Sequence, residues 1–356
     1  MESLHSDQIR QFHRDHPICD MLGINLAHPR FLIDDIDLGK RDPTTRRSDF
    51  PKLKDWGLSV VMCKGGAAHY DDEYKGFWIN DPTRRPGRDS EDLFLSLAIK
   101  NPTQLILGGL DRFLINVEAY PDQVVLVRTG ADLDRARAAG KIAVLMGANR
   151  SDWFGDSPGI LRMFARLGLR MITLGQATRE LGYDASNETR SGGRMTALGV
   201  RMIEEMNRCG ILIDLAHTND PCALDAIEVS ATPVVDSHSN PRTLEEGDRS
   251  APDEVMKALA ARGGMLGIMP LISRPPGDVP PQEPPPAEEI EQTLRMIRYA
   301  VDVMGIDGVG IGTHFNSMVM PWITGALLDA GFSYEDTAKI MGENYLRVLR
   351  QVLPAE

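Results

Sequence analysis

The sequence predicts a (β/α)₈ barrel, and two observations support this fold class. Short apolar runs, rich in Val, Ile, Leu and Met and bounded by glycine or polar residues, alternate with longer segments of helical period. Such runs are typical of parallel strands that are buried on both faces. Eight runs are present, which favours a closed barrel over an open doubly wound sheet, the alternative that the same alternation allows.

The predicted elements follow one another along the chain as a single domain, 1–356. The strands are PICDMLGINL (17–26), LSVVMC (58–63), IAVLMG (142–147), LRMITL (169–174), ILIDLAH (211–217), TPVVDSH (232–238), GMLGIM (264–269) and GVGIGTH (308–314). Helices are predicted at 157–168, 195–210 and 288–305, and a terminal helix begins near Ser333 and Asp336, which have capping-box spacing. The proline-rich stretch 274–286, after the seventh strand, is predicted to be an extended connector, or else a lid or a dimer arm.

Composition and charge restrict the class of protein. Of the 356 residues, 42% are hydrophobic and 25% are charged, as in a soluble globular protein with a sizeable core. No apolar run approaches the roughly 20 residues that span a bilayer, and the polar N-terminus lacks the apolar region of a secretory signal. The net charge of −12 argues against nucleic-acid and membrane partners. The four cysteines form no CxxC pair, which indicates reduced thiols and a cytoplasmic location.

Three histidines lie where a barrel places its reacting groups. His217, His238 and His314 each end a predicted strand, and the carboxyl ends of barrel strands carry the site. The three imidazoles are therefore expected to converge, and three of them suffice for a zinc ion with an open position. Alternation along its strand places Asp236 on the side of His238, where its carboxylate could orient that ring. The other five histidines are predicted to lie at the surface.

A single arginine is a candidate substrate anchor. Arg249, in EEGDRSAPDE, follows the sixth predicted strand on the same face as the histidines. Its planar guanidinium could bind a substrate carboxylate through two parallel hydrogen bonds. The alternative is that Arg249 pairs with Asp248 or Asp253 and only fixes its own loop.

Several segments together resemble the renal or membrane dipeptidase family, peptidase family M19. The most specific is MNRCGILIDLAH followed by SHSN, and GKIAVLMG, DRSAPDEVMKALAARGGMLGI and GIDGVGIGTHF also match. The resemblance runs from about residue 17 to 349 and is weak over 27–120. It implies an amidohydrolase-type barrel with a binuclear zinc centre and a homodimer. His217 and His238 match two metal ligands of the family, and Arg249 matches its substrate-carboxylate arginine.

The chain departs from the family's pattern at most of the other metal positions. Leu22 and Ile24 stand where the family has an HxD pair, Asn149 where it has a bridging glutamate, Gln176 where it has a histidine ligand, and His314 where it has the aspartate of a DFDG motif. Leucine and isoleucine cannot bind zinc, and a neutral amide is a poor bridge between two cations. We therefore expect no ordinary binuclear dipeptidase site.

Three functions remain open for a site of this composition. An enzyme could open an amide or related bond in a small carboxylate-bearing molecule, with one zinc or other divalent metal held by His217, His238 and His314. A metal-free lyase, isomerase or cyclase could use the same histidines as general acids and bases. A non-catalytic binding protein is the third. In each case Arg249, Asn149, Gln176 and Asn316 are expected to contact the small-molecule ligand.

Overall fold

The computed structural model describes residues 7–25, 37–42, 48–66, 102–151, 153–176, 179–188, 192–272 and 285–356. Most of the predicted proline-rich loop lies outside these residues, as do three of the histidines that were predicted at the surface: His5, His28 and His69.

Eight of the nine described strands pair in parallel along one path in chain order, which confirms the predicted (β/α)₈ barrel. The strands are β1 (Cys19–Asn25), β2 (Val60–Gly66), β3 (Val124–Leu126), β4 (Ile142–Asn149), β5 (Leu169–Thr173), β6 (Leu212–Asp214), β7 (Val235–Ser239), β8 (Met265–Ile268) and β9 (Val309–Ile311). The short strand β3 was not predicted; it pairs with β4 outside the barrel path.

The barrel closes between its last strand and its first through backbone and side-chain hydrogen bonds. The backbone N–H of Thr313 donates to Asp20 Oδ1 at 3.0 Å, and the Thr313 hydroxyl donates to the other carboxylate oxygen. The backbone N–H of Phe315 donates to the Leu22 carbonyl at 2.8 Å. Burial raises the pKa of Asp20, and these donors oppose the shift.

Helices follow most strands and cover the barrel. They span Asp7–Asp15, Phe50–Asp55, Pro102–Ala119, Gly130–Ala138, Pro158–Leu167, Ala197–Cys209, Asp220–Val229, Asp253–Ala261, Ala287–Met304, Met320–Asp329, Tyr334–Ala338 and Asn344–Val352. A π-helical turn, Lys339–Glu343, joins the last two. Among the described helices, none combines the length and apolarity that a membrane span requires.

Local sequence explains where the predicted helices begin and end. Ser157 caps the helix Pro158–Leu167 by accepting a hydrogen bond from a backbone N–H, and Gly168 ends it with a φ of 109°. Ser333 accepts from the backbone N–H of Asp336 at 3.0 Å, as the capping-box spacing predicted. The predicted and observed bounds of these helices therefore agree within one or two residues.

One histidine that was predicted at the surface is instead a half-buried structural residue. His13 Nδ1 lies 3.1 Å from the Trp56 carbonyl oxygen, and Nε2 lies 2.8 Å from Thr324 Oγ1. The ring thus connects the helix Asp7–Asp15 to two other segments. Burial lowers the pKa of His13 to about 4. The surface prediction failed because these partners are distant in the sequence.

Two successive layers of side chains fill the barrel and position the site. The lower layer is apolar and includes one residue from each of four strands: Met62, Met171, Leu212 and Val235. Two residues later on the same strands stand polar side chains: Lys64, Thr173, Asp214 and Ser237. Because strand side chains alternate with period two, each polar residue points to the same face as the apolar one before it. The interior therefore changes from apolar to polar towards the carboxyl ends.

Candidate active site

A buried carboxylate lies at the centre of the polar layer. Asp214 Oδ2 accepts hydrogen bonds from Lys64 Nζ at 2.7 Å, Thr173 Oγ1 at 2.6 Å and Ser237 Oγ at 2.7 Å. Its Oδ1 accepts from the backbone N–H groups of Ser237 at 2.8 Å and Ala216 at 3.1 Å. Burial alone would raise the pKa of Asp214, but the Lys64 charge and these donors hold it below its usual value. Asp214 is therefore an ionised acceptor.

This carboxylate determines the tautomer of His238. Ser237 Oγ lies 2.7 Å from both Asp214 Oδ2 and His238 Nδ1. The ionised carboxylate can only accept, so the single hydroxyl proton of Ser237 goes to Asp214. His238 Nδ1–H must then donate to Ser237 Oγ, which leaves the Nε2 lone pair free of a proton. Burial, followed by the charge of Lys64, lowers the pKa of His238 well below its usual value, so the ring is neutral.

The other two predicted histidines lie beside His238, as expected from their positions at strand ends. His217 Nε2 is 3.1 Å from His238 Nε2, so the proton between them belongs to His217. The ring of His314 stacks on that of His238, with centroids 5.4 Å apart and 25° between the planes. The three imidazoles thus form one group at the carboxyl end of the barrel.

The backbone at two of these histidines has a left-handed conformation. His217 has a φ of 64° and His314 a φ of 52°, and each lies three residues beyond its strand. Non-glycine residues adopt this conformation uncommonly, and it marks sharp changes of chain direction. The turn after each strand therefore accompanies the placement of its ring beside His238.

The prediction that Asp236 orients His238 is wrong, because Ser237 contacts the ring nitrogen. The Asp236 carboxylate accepts from the backbone N–H of His238, and its Oδ1 has no hydrogen-bond partner. The pairing of β7 with β8 is irregular between Asp236 and Ser239, so the alternation that relates Val235 to Ser237 does not carry on from Asp236 to His238. Burial, with a contribution from Asp214, raises the pKa of Asp236 to about 7.

Arg249 lines a pocket together with His217 and Asp236. Its guanidinium is half-buried, makes no ion pair with any residue that the structure describes, and has an Nε without a hydrogen-bond partner. The alternative pairing with Asp248 or Asp253 is absent; Asp253 instead accepts from the Tyr299 hydroxyl at 3.0 Å. Burial lowers the pKa of Arg249, partly offset by Asp236. Arg249 Nη2 lies 3.9 Å from Met269 Sδ, a weak acceptor. A charged fork without an anionic partner in a pocket is suited to an anionic group.

The remaining predicted contact residues also lie at the carboxyl end of the barrel. Asn149 ends β4, and its buried Oδ1 has no hydrogen-bond partner. Gln176 follows β5 and is half-buried. Asn316, two residues after His314, is buried and starts a 3₁₀ turn, with its backbone N–H donating to Thr313 Oγ1 at 3.0 Å. Their expected contact with a ligand stays a prediction.

Sequence reasoning missed Lys64 and Ser237. The predicted second strand stopped at Cys63, whereas the observed strand β2 continues to Gly66. A lysine two residues after a buried methionine, at the carboxyl end of a barrel strand, was the available signal. Ser237 has no comparable signal, because its role depends on the direction of hydrogen bonds between strands.

The donor set does not fit a binuclear zinc centre. Leu22 and Ile24 are buried apolar side chains. Within the described ranges, no three His, Cys, Asp or Glu side chains are grouped as a metal site. The single-metal site predicted for the three histidines stays a prediction.

Comparisons with known proteins agree on one family. The model of the membrane dipeptidase family (peptidase family M19) matches residues 7–355. Dipeptidase tcpJ of Claviceps purpurea is 32% identical over 250 residues, which cover 66% of this chain but only 57% of that protein. Dipeptidase verJ of Clonostachys rogersoniana is 30% identical over 281 residues, which cover 75% of this chain and 70% of that protein.

Solved structures show the same fold at lower identity. The probable dipeptidase PvdM from Pseudomonas aeruginosa is 20% identical, with a TM-score of 0.76 and 97% of each chain covered. A metallo peptidase from Rhodobacter sphaeroides, liganded with a phosphinate mimic of the dipeptide L-Ala-D-Ala, is 20% identical, with a TM-score of 0.77, covering 95% of this chain and 99% of that one.

Proposed function

Because the chain belongs to the membrane dipeptidase family, peptidase family M19, we propose that it opens an amide-type bond in a small carboxylate-bearing molecule by acid–base chemistry of its own side chains. The observation that carries this proposal is the cluster of side chains at the carboxyl end of the barrel. His217, whose Nε2 lies 3.1 Å from His238 Nε2, lines a small pocket together with Asp236 and Arg249, and Arg249 Nε has no hydrogen-bond partner. The cluster thus combines a base with an anion anchor.

Binding begins with the substrate carboxylate on Arg249. A bidentate pair orients a planar anion as well as attracting it. The side-chain amides of Asn149 and Gln176, at the ends of neighbouring strands, supply neutral donors and acceptors for the rest of the molecule. This arrangement supports a substrate with one anionic end and an uncharged, amide-like centre.

Hydrolysis then requires two proton transfers. A water molecule that displaces the His217 N–H from His238 Nε2 adds to the carbonyl carbon, and its proton goes to Nε2. The C–N bond breaks when the resulting imidazolium returns a proton to the leaving nitrogen. Asp236, with its pKa raised by burial to about 7, can hold or release a proton in the same pH range. Since two zinc ions do not fit these residues, no step is assigned to a metal.

Zinc titration of the purified protein tests the absence of a binuclear centre. We expect fewer than two zinc equivalents per chain by calorimetry, because ligand positions are occupied by Leu22 and Ile24. Two equivalents that are lost in His238→Ala would contradict the donor-set argument. One equivalent lost in that variant would instead support the single-metal alternative.

A matched pair of substrates tests the substrate class. N-acetyl-L-alanine and L-Ala-L-Ala share a carboxylate and an amide, but only the dipeptide has an ammonium. An imidazole, at His314, offers no negative charge to that ammonium, so we expect kcat/KM for the dipeptide to be lower, by as much as several decades. Product formation followed by chromatography measures the ratio, and efficient turnover of L-Ala-L-Ala would contradict the proposal.

Arg249 variants test the anchor. Arg249→Lys keeps the charge but loses the planar fork, so we expect weaker binding of N-acetyl-L-alanine, and Arg249→Met should weaken it further, by about 10- to 100-fold. Both should fold, since the guanidinium forms no ion pair within the described part of the chain. Arg350→Met, which removes an exposed arginine paired with Asp134, is the control. Unchanged affinity in Arg249→Met would leave only a structural role.

Oligomeric state and location are part of the same proposal. A homodimer and a cytoplasmic location follow from the family resemblance and from the four cysteines, all of which are free thiols in the structure. Analytical ultracentrifugation and fractionation of the native host test these two points, and a stable monomer would contradict the first.

A further inference from the structure

We propose that Lys64 is a positioning residue: a built-in cation that fixes the hydrogen-bond direction behind His238, so that the ring proton stays on Nδ1 and Nε2 keeps its lone pair. The proposal deepens the proposed function, because the Nε2 lone pair is the base of that reaction. The tautomer itself can be measured without any substrate.

The geometry shows a chain of four groups with one consistent direction. The Lys64 ammonium is fully buried, 2.7 Å from Asp214 Oδ2 and 3.4 Å from Ser237 Oγ. Ser237 Oγ has one proton, given to Asp214, and two lone pairs, which face Lys64 and His238 Nδ1. Every donor and acceptor of the hydroxyl is therefore used, and no proton is left over to reverse the order.

The charge of Lys64 is what holds this direction. A carboxylate buried without a counter-charge takes up a proton more readily. A protonated Asp214 could donate to Ser237 Oγ, and the Ser237 hydroxyl could then donate to His238 Nδ1. The His238 proton would move to Nε2, and the lone pair that faces His217 would be lost. One added proton therefore reverses the whole chain, and the ammonium of Lys64 prevents its uptake.

A second buried lysine provides a matched control. Lys52 is as buried as Lys64, and its Nζ lies 3.0 Å from Asp49 Oδ2. This pair belongs to the start of the helix Phe50–Asp55, where Asp49 Oδ1 also accepts from the backbone N–H of Lys52. Removing its charge perturbs a buried ion pair without perturbing the chain behind His238.

The experiment is ¹⁵N NMR of the histidine side chains in the full-length protein. Long-range ¹H–¹⁵N spectra distinguish a protonated ring nitrogen from an unprotonated one, and His238→Gln assigns the His238 signals by their loss. We expect the Nδ1–H form in the wild type and in Lys52→Met. We expect a shift to the Nε2–H form in Lys64→Met and in Lys64→Gln, which keeps a hydrogen-bond donor but removes the charge. A folded Lys64 variant that retains the wild-type tautomer would overturn the proposal.

Ser237→Ala keeps the proposal testable if neither Lys64 variant folds. This variant removes only the hydroxyl that connects Asp214 to His238, so we expect a mixture of the two tautomers. A pure Nδ1–H form in Ser237→Ala would overturn the proposal. Hydrolysis of N-acetyl-L-alanine distinguishes failure of this inference from failure of the proposed function. If the Lys64 variants shift the tautomer but the wild type hydrolyses none of the tested amides, the role of Lys64 is supported and the proposed function is contradicted.

Discussion

Two regions of this protein bury a lysine–aspartate pair, and they differ in what the pair is connected to. In the outer layer, Lys52 and Asp49 are three residues apart, and Asp49 also caps the helix Phe50–Asp55 through its other oxygen. In the barrel, Lys64 and Asp214 are 150 residues apart and join β2 to β6. The first pair belongs to the start of one helix, where the backbone N–H of Asp42 also donates to Asp49 Oδ2 at 3.0 Å. The second continues through a hydroxyl to an imidazole.

Two buried histidines show the same contrast. Both ring nitrogens of His13 face fixed partners, the Trp56 carbonyl and the Thr324 hydroxyl. His238 has one nitrogen on Ser237 and the other on a second titratable ring, His217. Burial of an ionisable group therefore does not by itself identify a site. A ring nitrogen that faces another titratable side chain, on a ring held in one orientation by the hydrogen bonds behind it, does.

The largest expected effect on stability comes from breaking the Lys64–Asp214 pair in the barrel. Asp214→Asn leaves the Lys64 ammonium buried without its counter-charge, which should lower the free energy of unfolding by about 3–5 kcal/mol. Asp49→Asn also leaves a buried ammonium without its counter-charge, but asparagine still caps the helix, and Asp49 accepts fewer hydrogen bonds than Asp214 among the described residues. Its cost should therefore be smaller, about 2–3 kcal/mol. Denaturant unfolding at pH 7 measures both. Equal losses would remove the distinction between the two regions.

The next effect is a pH dependence of the unfolding free energy that arises in the outer layer alone. Burial lowers the pKa of His13 from 6.5 to about 4, so the folded protein keeps this ring neutral while the unfolded chain takes up a proton below pH 6.5. Stability from this residue is complete above pH 6.5 and declines towards pH 4. Between pH 7 and 4.5 the loss should be about 2 kcal/mol. Over the same pH range, the unfolding free energy of His13→Gln should fall by that amount less than that of the wild type. An identical pH dependence of the unfolding free energy in both proteins would contradict the assignment of this effect to His13.

The smallest effect compares two hydroxyls. Thr173→Val removes one of five donors to Asp214, and Thr324→Val removes the partner of His13 Nε2; each should cost about 1 kcal/mol of unfolding free energy. Only Thr173→Val should shift the ¹⁵N signals of His238. A comparable shift of those signals in Thr324→Val would show that the two regions are coupled.

Most of the fold was predictable because buried parallel strands have a simple apolar signature. The runs at 142–147 and 169–174 became β4 and β5 with small differences at their ends. The three-residue strand β3 escaped prediction because VVL is too short to be distinguished from an apolar loop. It forms by pairing with β4, an interaction that no local pattern contains.

The site was predictable only as far as topology determines it. The convergence of the three histidines follows from their positions at strand ends. The loss of two metal ligands follows from Leu22 and Ile24, which stand where the family has an HxD pair. The roles of Asp236 and Ser237 were not predictable, since an irregular strand exchanges neighbours on the two faces. The role of Lys64 could not be predicted without knowing that β2 and β6 bring this lysine and Asp214 together across the barrel.

The left-handed backbone at His217 and His314 has a consequence for how this pocket can change. At φ values of 64° and 52°, valine, isoleucine and threonine would be strained, whereas asparagine, aspartate and glycine adopt such angles more readily. Saturation libraries at these two positions should therefore return functional variants from a narrow, mostly polar set. The two turns therefore limit which side chains are accepted at these positions. Within that limit, other polar side chains can be introduced at the mouth of the barrel while the strands below it keep their sequence.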